Sequence, residues 1–200
     1  GFFLSALAIF LLLVLCPSGG EAALPGGPLS AVQSGTERAL KILRETQRGE
    51  GQTLRQRKGE ILTIVDEYFN FDEMARRALG RPWKDQSPEK RKEFVSLFKQ
   101  LLFNTYISRV EGYTGSNEKV FYDSERIEGD FAVVSTHIIY QSNQNVVIDY
   151  RLRREGGLWK VYDVIVEGIS FIENYRSQFS SILANESFDA LLRKIREKIQ

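Results

Sequence analysis

Val146-Val147-Ile148-Asp149-Tyr150-Arg151-Leu152-Arg153-Arg154 puts Val146, Ile148, Tyr150 and Leu152 on one side of an extended chain. Val147, Asp149, Arg151 and Arg153 fall on the other side. Successive side chains of a strand point to opposite faces, so an apolar/polar period of two reads as a half-buried strand. Working outward, Phe131–Tyr140 and Lys119–Ile127 precede it and Leu158–Val166 follows, each with the same period. The separators are Glu128-Gly129-Asp130, Ser142-Asn143-Gln144-Asn145 and Glu155-Gly156-Gly157, short and rich in turn formers. Parallel neighbours need a crossover of a dozen or more residues, which these separators do not supply. The expectation is a four-stranded antiparallel meander, with one wet face and one face that needs a cover.

The cover is expected from helices on both sides of the sheet in the sequence. Ile61, Ile64, Val65, Tyr68 and Phe69 recur at i, i+3, i+4, i+7 and i+8, the stripe of a helix with one buried face. Asp72 is read as the N-cap of a short helix through Leu79, with Gly80 as its C′ residue. Ser87-Pro88 pairs a cap with a first-turn proline and opens a helix carrying Phe94, Leu97, Phe98, Leu101, Leu102 and Tyr106. After the sheet, Ser170-Phe171-Ile172-Glu173 matches a capping box for a helix to about Leu183. A last helix carries Phe188, Leu191, Leu192 and Ile195. The fold class is therefore α+β: a curved meander covered on one face by helices from before and after it. Such a sheet encloses an apolar pocket only where the side chains fail to fill it.

The start of the chain reads differently. Phe2 to Cys16 is an apolar run broken only by Ser5. It is shorter than the roughly 20 residues a spanning helix needs and fits the h-region of a secretory signal peptide. Gly20-Glu21-Ala22 offers a small-x-small cleavage site, so residues 1–22 are expected to be removed. A retained anchor and a lipid-modified Cys16 are the alternatives; Leu15 and Pro17 flank that cysteine where a lipoprotein signal has small residues. Residues 23–35, rich in Gly, Ala and Pro, read as a flexible lead-in. Thr36 to Glu45 reads as a short helix with Leu40 and Leu43 on one side, and residues 36–200 as one domain. Cys16 is the only cysteine, so the exported domain relies on its core and not on disulfides. With 27 basic against 26 acidic residues, no overall basic excess points to nucleic acid.

Catalytic groups are sparse. His137 is the only histidine and sits mid-strand between Thr136 and Ile138, a position on the less apolar sheet face. No Gly-x-Ser-x-Gly elbow, Gly-x-Gly-x-x-Gly loop or Gly-Lys-Ser/Thr phosphate loop occurs. One histidine and one cysteine do not make the common zinc ligand sets. Asp163 is the acid to weigh, because strict alternation places it on the face of Trp159 and Val161. A carboxylate in an apolar cleft can serve as a general base, as in cone-shaped α+β isomerases. The plainer reading is a fixed hydrogen bond that pins the end of the sheet.

Phe71-Asp72-Glu73-Met74-Ala75-Arg76-Arg77-Ala78-Leu79-Gly80, followed by Trp83 and Ser87-Pro88, resembles the MlaC family. So do Gly157-Leu158-Trp159-Lys160-Val161-Tyr162-Asp163-Val164, then Val166-Glu167-Gly168-Ile169-Ser170, and Asn174-Tyr175-Arg176 with Phe179. The resemblance runs from about Thr36 to the end and is loosest over Gly112 to Asn145. These are periplasmic phospholipid-binding proteins of Gram-negative envelopes, also called toluene-tolerance auxiliary proteins. The resemblance implies a soluble, non-enzymatic, monomeric carrier with phospholipid as cargo and no cofactor or metal. It would stand between an outer-membrane lipoprotein complex and an inner-membrane ABC transporter with an MCE-domain protein, a system tied to outer-membrane lipid asymmetry. Face assignment then gives the expected lining: Phe94, Phe98, Leu101 and Tyr106 on the helix, and Val134, Ile138, Ile148, Tyr150, Trp159 and Val161 on the sheet. An enzyme using Asp163 and a non-carrying envelope adaptor are the alternatives.

Overall fold

The computed structural model describes residues 26–47, 54–111, 119–140 and 144–200. The expected signal peptide over 1–22 lies outside them. Six helices and five strands follow in order: α1 Pro28–Gln47, α2 Leu54–Tyr68, α3 Phe71–Leu79, a 3-10 turn Arg81–Asp85, and α4 Pro88–Glu111. Then come β1 Lys119–Glu128, β2 Phe131–Tyr140, β3 Gln144–Glu155, β4 Leu158–Val166 and β5 Ile169–Ser170, before α5 Phe171–Leu183 and α6 Phe188–Ile199.

The sheet is an antiparallel meander in the order β1-β2-β3-β4-β5. Its inner face buries Ala132, Val134 and Ile138 of β2 and Val146, Ile148, Tyr150 and Leu152 of β3. These are paired across the strands as Val134↔Tyr150 and Ala132↔Leu152, so one register serves one face. The sheet has one strand more than expected. Glu167 and Gly168, both with positive φ (50° and 80°), form a two-residue turn that returns Ile169 and Ser170 against β4. Ser170 then caps α5, its Oγ accepting from the Glu173 N–H at 3.0 Å, so the strand stops after two residues.

Both edges of the sheet are managed. Beyond β5, the free side of β4 is met by the chain before α3: Phe69 bridges Val161, and the Asn70 N–H donates to the Val161 carbonyl at 2.8 Å. On β1 the edge carries Asp123, Glu125, Arg126 and Glu128, charges that discourage pairing with another chain.

Two helix starts depart from expectation. The cap of α3 is Asn70 and not Asp72: its Oδ1 accepts from the Glu73 N–H at 2.9 Å. An Asn caps as well as an Asp, and Asn70 is already fixed by its main-chain bond to Val161. Helix α1 starts at Pro28 and not at Thr36, so most of the stretch read as a flexible lead-in is helical. Pro28 stands in the first turn, where its missing N–H costs nothing, and Glu125 of β1 accepts from the Leu29 N–H at 2.9 Å. The small residues that looked like a linker are there for close approach. A Cβ on Gly35 would lie 2.9 Å from Cγ of Tyr68 on α2.

Candidate functional site

The buried side chains fall into two clusters. The larger one joins the inner sheet face to Val32 of α1 and to α3, α4, α5 and α6. The smaller consists of Leu40 of α1, Ile61 of α2 and Ile107 of α4. Between the two clusters lies a cavity of about 150 Å³, partly open to solvent. Its walls are Val32, Thr36 and Leu40 of α1, Ile61, Ile64, Val65 and Tyr68 of α2, and Leu102, Phe103, Tyr106 and Ile107 of α4. The floor is Tyr150 and Leu152 of β3 with Trp159, Val161 and Val164 of β4. Lys99 is the one charged residue among the described lining, and its ammonium pairs with Asp66 of α2 at 2.5 Å.

Four residues of the expected lining stand here: Tyr106, Tyr150, Trp159 and Val161. The other six do not. Phe94 and Phe98 turn to the C-terminal helices, where Phe94 packs against Phe179 and Phe188 with ring centroids 5.6 and 5.8 Å apart. Phe98 meets Tyr175 at 5.1 Å. Leu101, Val134, Ile138 and Ile148 are buried in the large core, away from the cavity wall. The reason is that α4 is apolar on two sides. With 3.6 residues per turn, positions 94, 98 and 101 share one side, and 99, 103, 106 and 107 share the opposite one. Burial of both sides leaves no amphipathic stripe to say which of them meets a cavity. The lining on α1 and α2 was missed for a different reason. The α2 stripe was legible as buried, but the stretch with Pro28 and Gly35, read as a lead-in, concealed the first turns of the helix that approaches it closely.

Asp163 is not in the cavity. The ladder of β3 and β4 slips between Arg151 and Leu152, so that Val161 faces Leu152 but Asp163 faces Arg151. Tyr162 is the extra residue, and past such a bulge the alternation inverts. The carboxylate of Asp163 is 2% exposed and fully engaged. It accepts from the Ile172 N–H at 3.1 Å, from Ser170 Oγ at 2.7 Å and from Arg151 Nη1 at 3.3 Å. Burial pushes this carboxyl above the usual range, and the bonds from Ser170, Ile172 and Arg151 offset that only in part. Its task is to hold the start of α5 against β4. It is absent from the apolar cavity lining, where the enzyme reading places it.

The two signature stretches meet beside it. Glu73, 3% exposed, binds Arg76 Nη2 and Arg77 Nε at 2.7 Å each and Arg153 Nη1 at 3.0 Å. Arg77 in turn lies over the ring of the bulge residue Tyr162, 4.2 Å from its centroid. His137 is on the outer face, stacked 4.6 Å from Phe121 and 2.8 Å from the Asp123 carboxylate. Among the described residues no three His, Cys, Asp or Glu are grouped to hold a metal ion, and no helix is long and apolar enough to cross a membrane.

Comparison with known proteins matches the MlaC protein family model to residues 33–197. The intermembrane phospholipid transport system binding protein MlaC of Haemophilus influenzae is 30% identical over 135 residues. Those residues are 65% of this chain and 62% of that relative, so the chain spans less than two thirds of its length. Among solved structures, the phospholipid-binding protein from Ralstonia solanacearum, determined in complex with a phospholipid, superposes with a TM-score of 0.70. The alignment covers 87% of this chain and 97% of that one at 24% identity, a likeness of fold.

Proposed function

The chain belongs to the MlaC family, and from that premise we propose that it is a phospholipid carrier that holds acyl chains in the cavity between α1, α2, α4 and the sheet. The observation that carries this reading is the lining, which is apolar on every wall and has one cation, Lys99, among its described residues. The energetics set the task. Two acyl chains of about 15 carbons cost roughly 20–25 kcal/mol to expose, at ~0.8 kcal/mol per CH₂. A dry pocket removes most of that cost, while the headgroup must stay wet because burying its charge unpaired would be prohibitive. Lys99 suits a phosphate, which every phospholipid carries, so the lining favours chain length over headgroup.

The wider setting is part of the same proposal. The chain works in the periplasm after export by its N-terminal signal. It moves lipid between an outer-membrane lipoprotein complex and the MCE-domain protein of an inner-membrane ABC transporter. The role of the Haemophilus relative, intermembrane phospholipid transport, supports that placement.

Native mass spectrometry of the protein purified from a Gram-negative host tests the carrier. A bound phospholipid, with headgroups in the proportions of the host membrane, is the expected result, and a bare mass sinks the reading. Val161→Trp, which fills the floor of the cavity, is expected to fold and to carry no lipid. A folded Val161→Trp protein with unchanged lipid content would place the cargo elsewhere.

A further inference from the structure

Lys99 of α4 is the one cation among the described lining of the cavity, and its side chain is 30% exposed, so it stands where the lining meets solvent. Its ammonium is fixed on two sides. It lies 5.5 Å from the ring centroid of Phe71, another lining residue, and 2.5 Å from the carboxylate of Asp66 on α2. Asp66 is 45% exposed and is not itself part of the lining. Val65 and Tyr68 of the same helix do line the cavity, so α2 carries this carboxylate at the rim.

A lipid whose chains enter the cavity and whose headgroup stays in water brings its phosphate to such a rim, because the phosphate is the part of the headgroup nearest the chains. An ammonium beside an apolar wall is the partner a phosphodiester would find there, as a charge-assisted contact. That position is taken, since Asp66 already supplies the anion, and two anions brought to one ammonium repel each other. Resting on the carrier reading, we infer that Asp66 is a resident competitor of the cargo's phosphate. It holds Lys99 in the lipid-free protein, and the phosphate gains Lys99 only by displacing it. The headgroup contact is then weak in net terms while the chains supply the affinity, which suits a carrier that must hand its cargo on. An exposed ion pair contributes up to about 1 kcal/mol, so breaking it offsets about fivefold of the phosphate's affinity.

Two variants break the same contact between α2 and α4 and separate competition from simple unpinning of the helices. Asp66→Asn frees the ammonium for phosphate, whereas Lys99→Met leaves phosphate facing a bare carboxylate. The test equilibrates lipid-free protein with vesicles holding phosphatidylcholine and a minority of diacylglycerol with identical chains, and weighs the bound lipids by native mass spectrometry. Diacylglycerol presents the same chains to the cavity and lacks the phosphate. Relative to wild type, the ratio of bound phosphatidylcholine to diacylglycerol is expected to rise about fivefold in Asp66→Asn and to fall about fivefold in Lys99→Met. Phosphatidylcholine is also expected to leave Asp66→Asn for acceptor vesicles about fivefold more slowly, since such differences fall mainly on dissociation. An unchanged ratio in Asp66→Asn overturns the competition, as does a shift of the same sign in both variants. Unslowed transfer from Asp66→Asn overturns it as well. If wild type takes up neither lipid, the carrier reading itself fails, and the competitor falls with it.

Discussion

Glu73 illustrates how a charge comes to be kept inside this protein. Burial by itself would push its carboxyl up, but Arg76 and Arg77 outweigh that and hold it below the ordinary value. A carboxyl lowered in the folded state contributes stability that is present above its unfolded value of about 4.3 and is lost as pH falls through the folded value. Glu73→Gln is expected to cost about 2 kcal/mol at pH 7. This is less than a fully buried pair would lose, because the three arginines are half-exposed and rehydrate. Urea unfolding checks it: the gap between wild type and variant should narrow as pH drops below 4, and a gap that widened there would contradict the sign. Glu73 does not show its role in sequence, where it reads as a polar residue in a helix turn. Fixed hydrogen bonding is the plainer sequence reading of Asp163 and is what the structure shows. Only the slip at Tyr162, which periodicity cannot reveal, decides that Asp163 turns from the cavity.

Elements were more legible than residues, for reasons that differ from one to the next. The four long strands follow from period two and from turn formers between them, because one inner face requires one register. Helix α5 follows from Ser170 and Glu173, whose spacing has a mechanism. Helix α1 was read eight residues short, since the Gly and Pro residues around its first turns are poor evidence for a helix when its partner is not known. Gly35 makes that partner necessary: Tyr68 is held by its hydroxyl, 2.8 Å from Ser34 Oγ and 3.2 Å from Arg38 Nη1, so its ring cannot swing aside. In an exposed helix, Gly→Ala gains about 1 kcal/mol. Here Gly35→Ala is expected to destabilise by about 1–2 kcal/mol, because the methyl group forces α1 off α2. Thermal melting decides the sign, and a stabilised variant would mean that the two helices are free to separate at that point.

Separation of those helices is what the whole molecule has to permit. A cavity near 150 Å³ is of the size that holds one benzene, far short of two acyl chains. The seam along which it can grow is set by how unevenly the core is divided. Among the described residues the small cluster is Leu40, Ile61 and Ile107, and Val32 and Ile64 are the other buried apolar side chains of α1 and α2. At about 1.5–3 kcal/mol per buried side chain these five contribute roughly 8–15 kcal/mol. The roughly 20–25 kcal/mol at stake in covering two chains exceeds that, whereas opening the rest of the large core would unfold the domain. Lipid should therefore enter by moving α1 and α2 away from the sheet and α4, with the Asp66–Lys99 pair among the contacts released. Joining Asp66→Cys to Lys99→Cys with a short cleavable bismaleimide, in a Cys16→Ser background, holds α2 to α4. Lipid-free protein so tethered is expected to take up phospholipid at least tenfold more slowly than the untethered protein, and cleaving the linker should restore uptake. Undiminished loading of the tethered protein would show that the cavity widens through the sheet instead, with α2 fixed on α4.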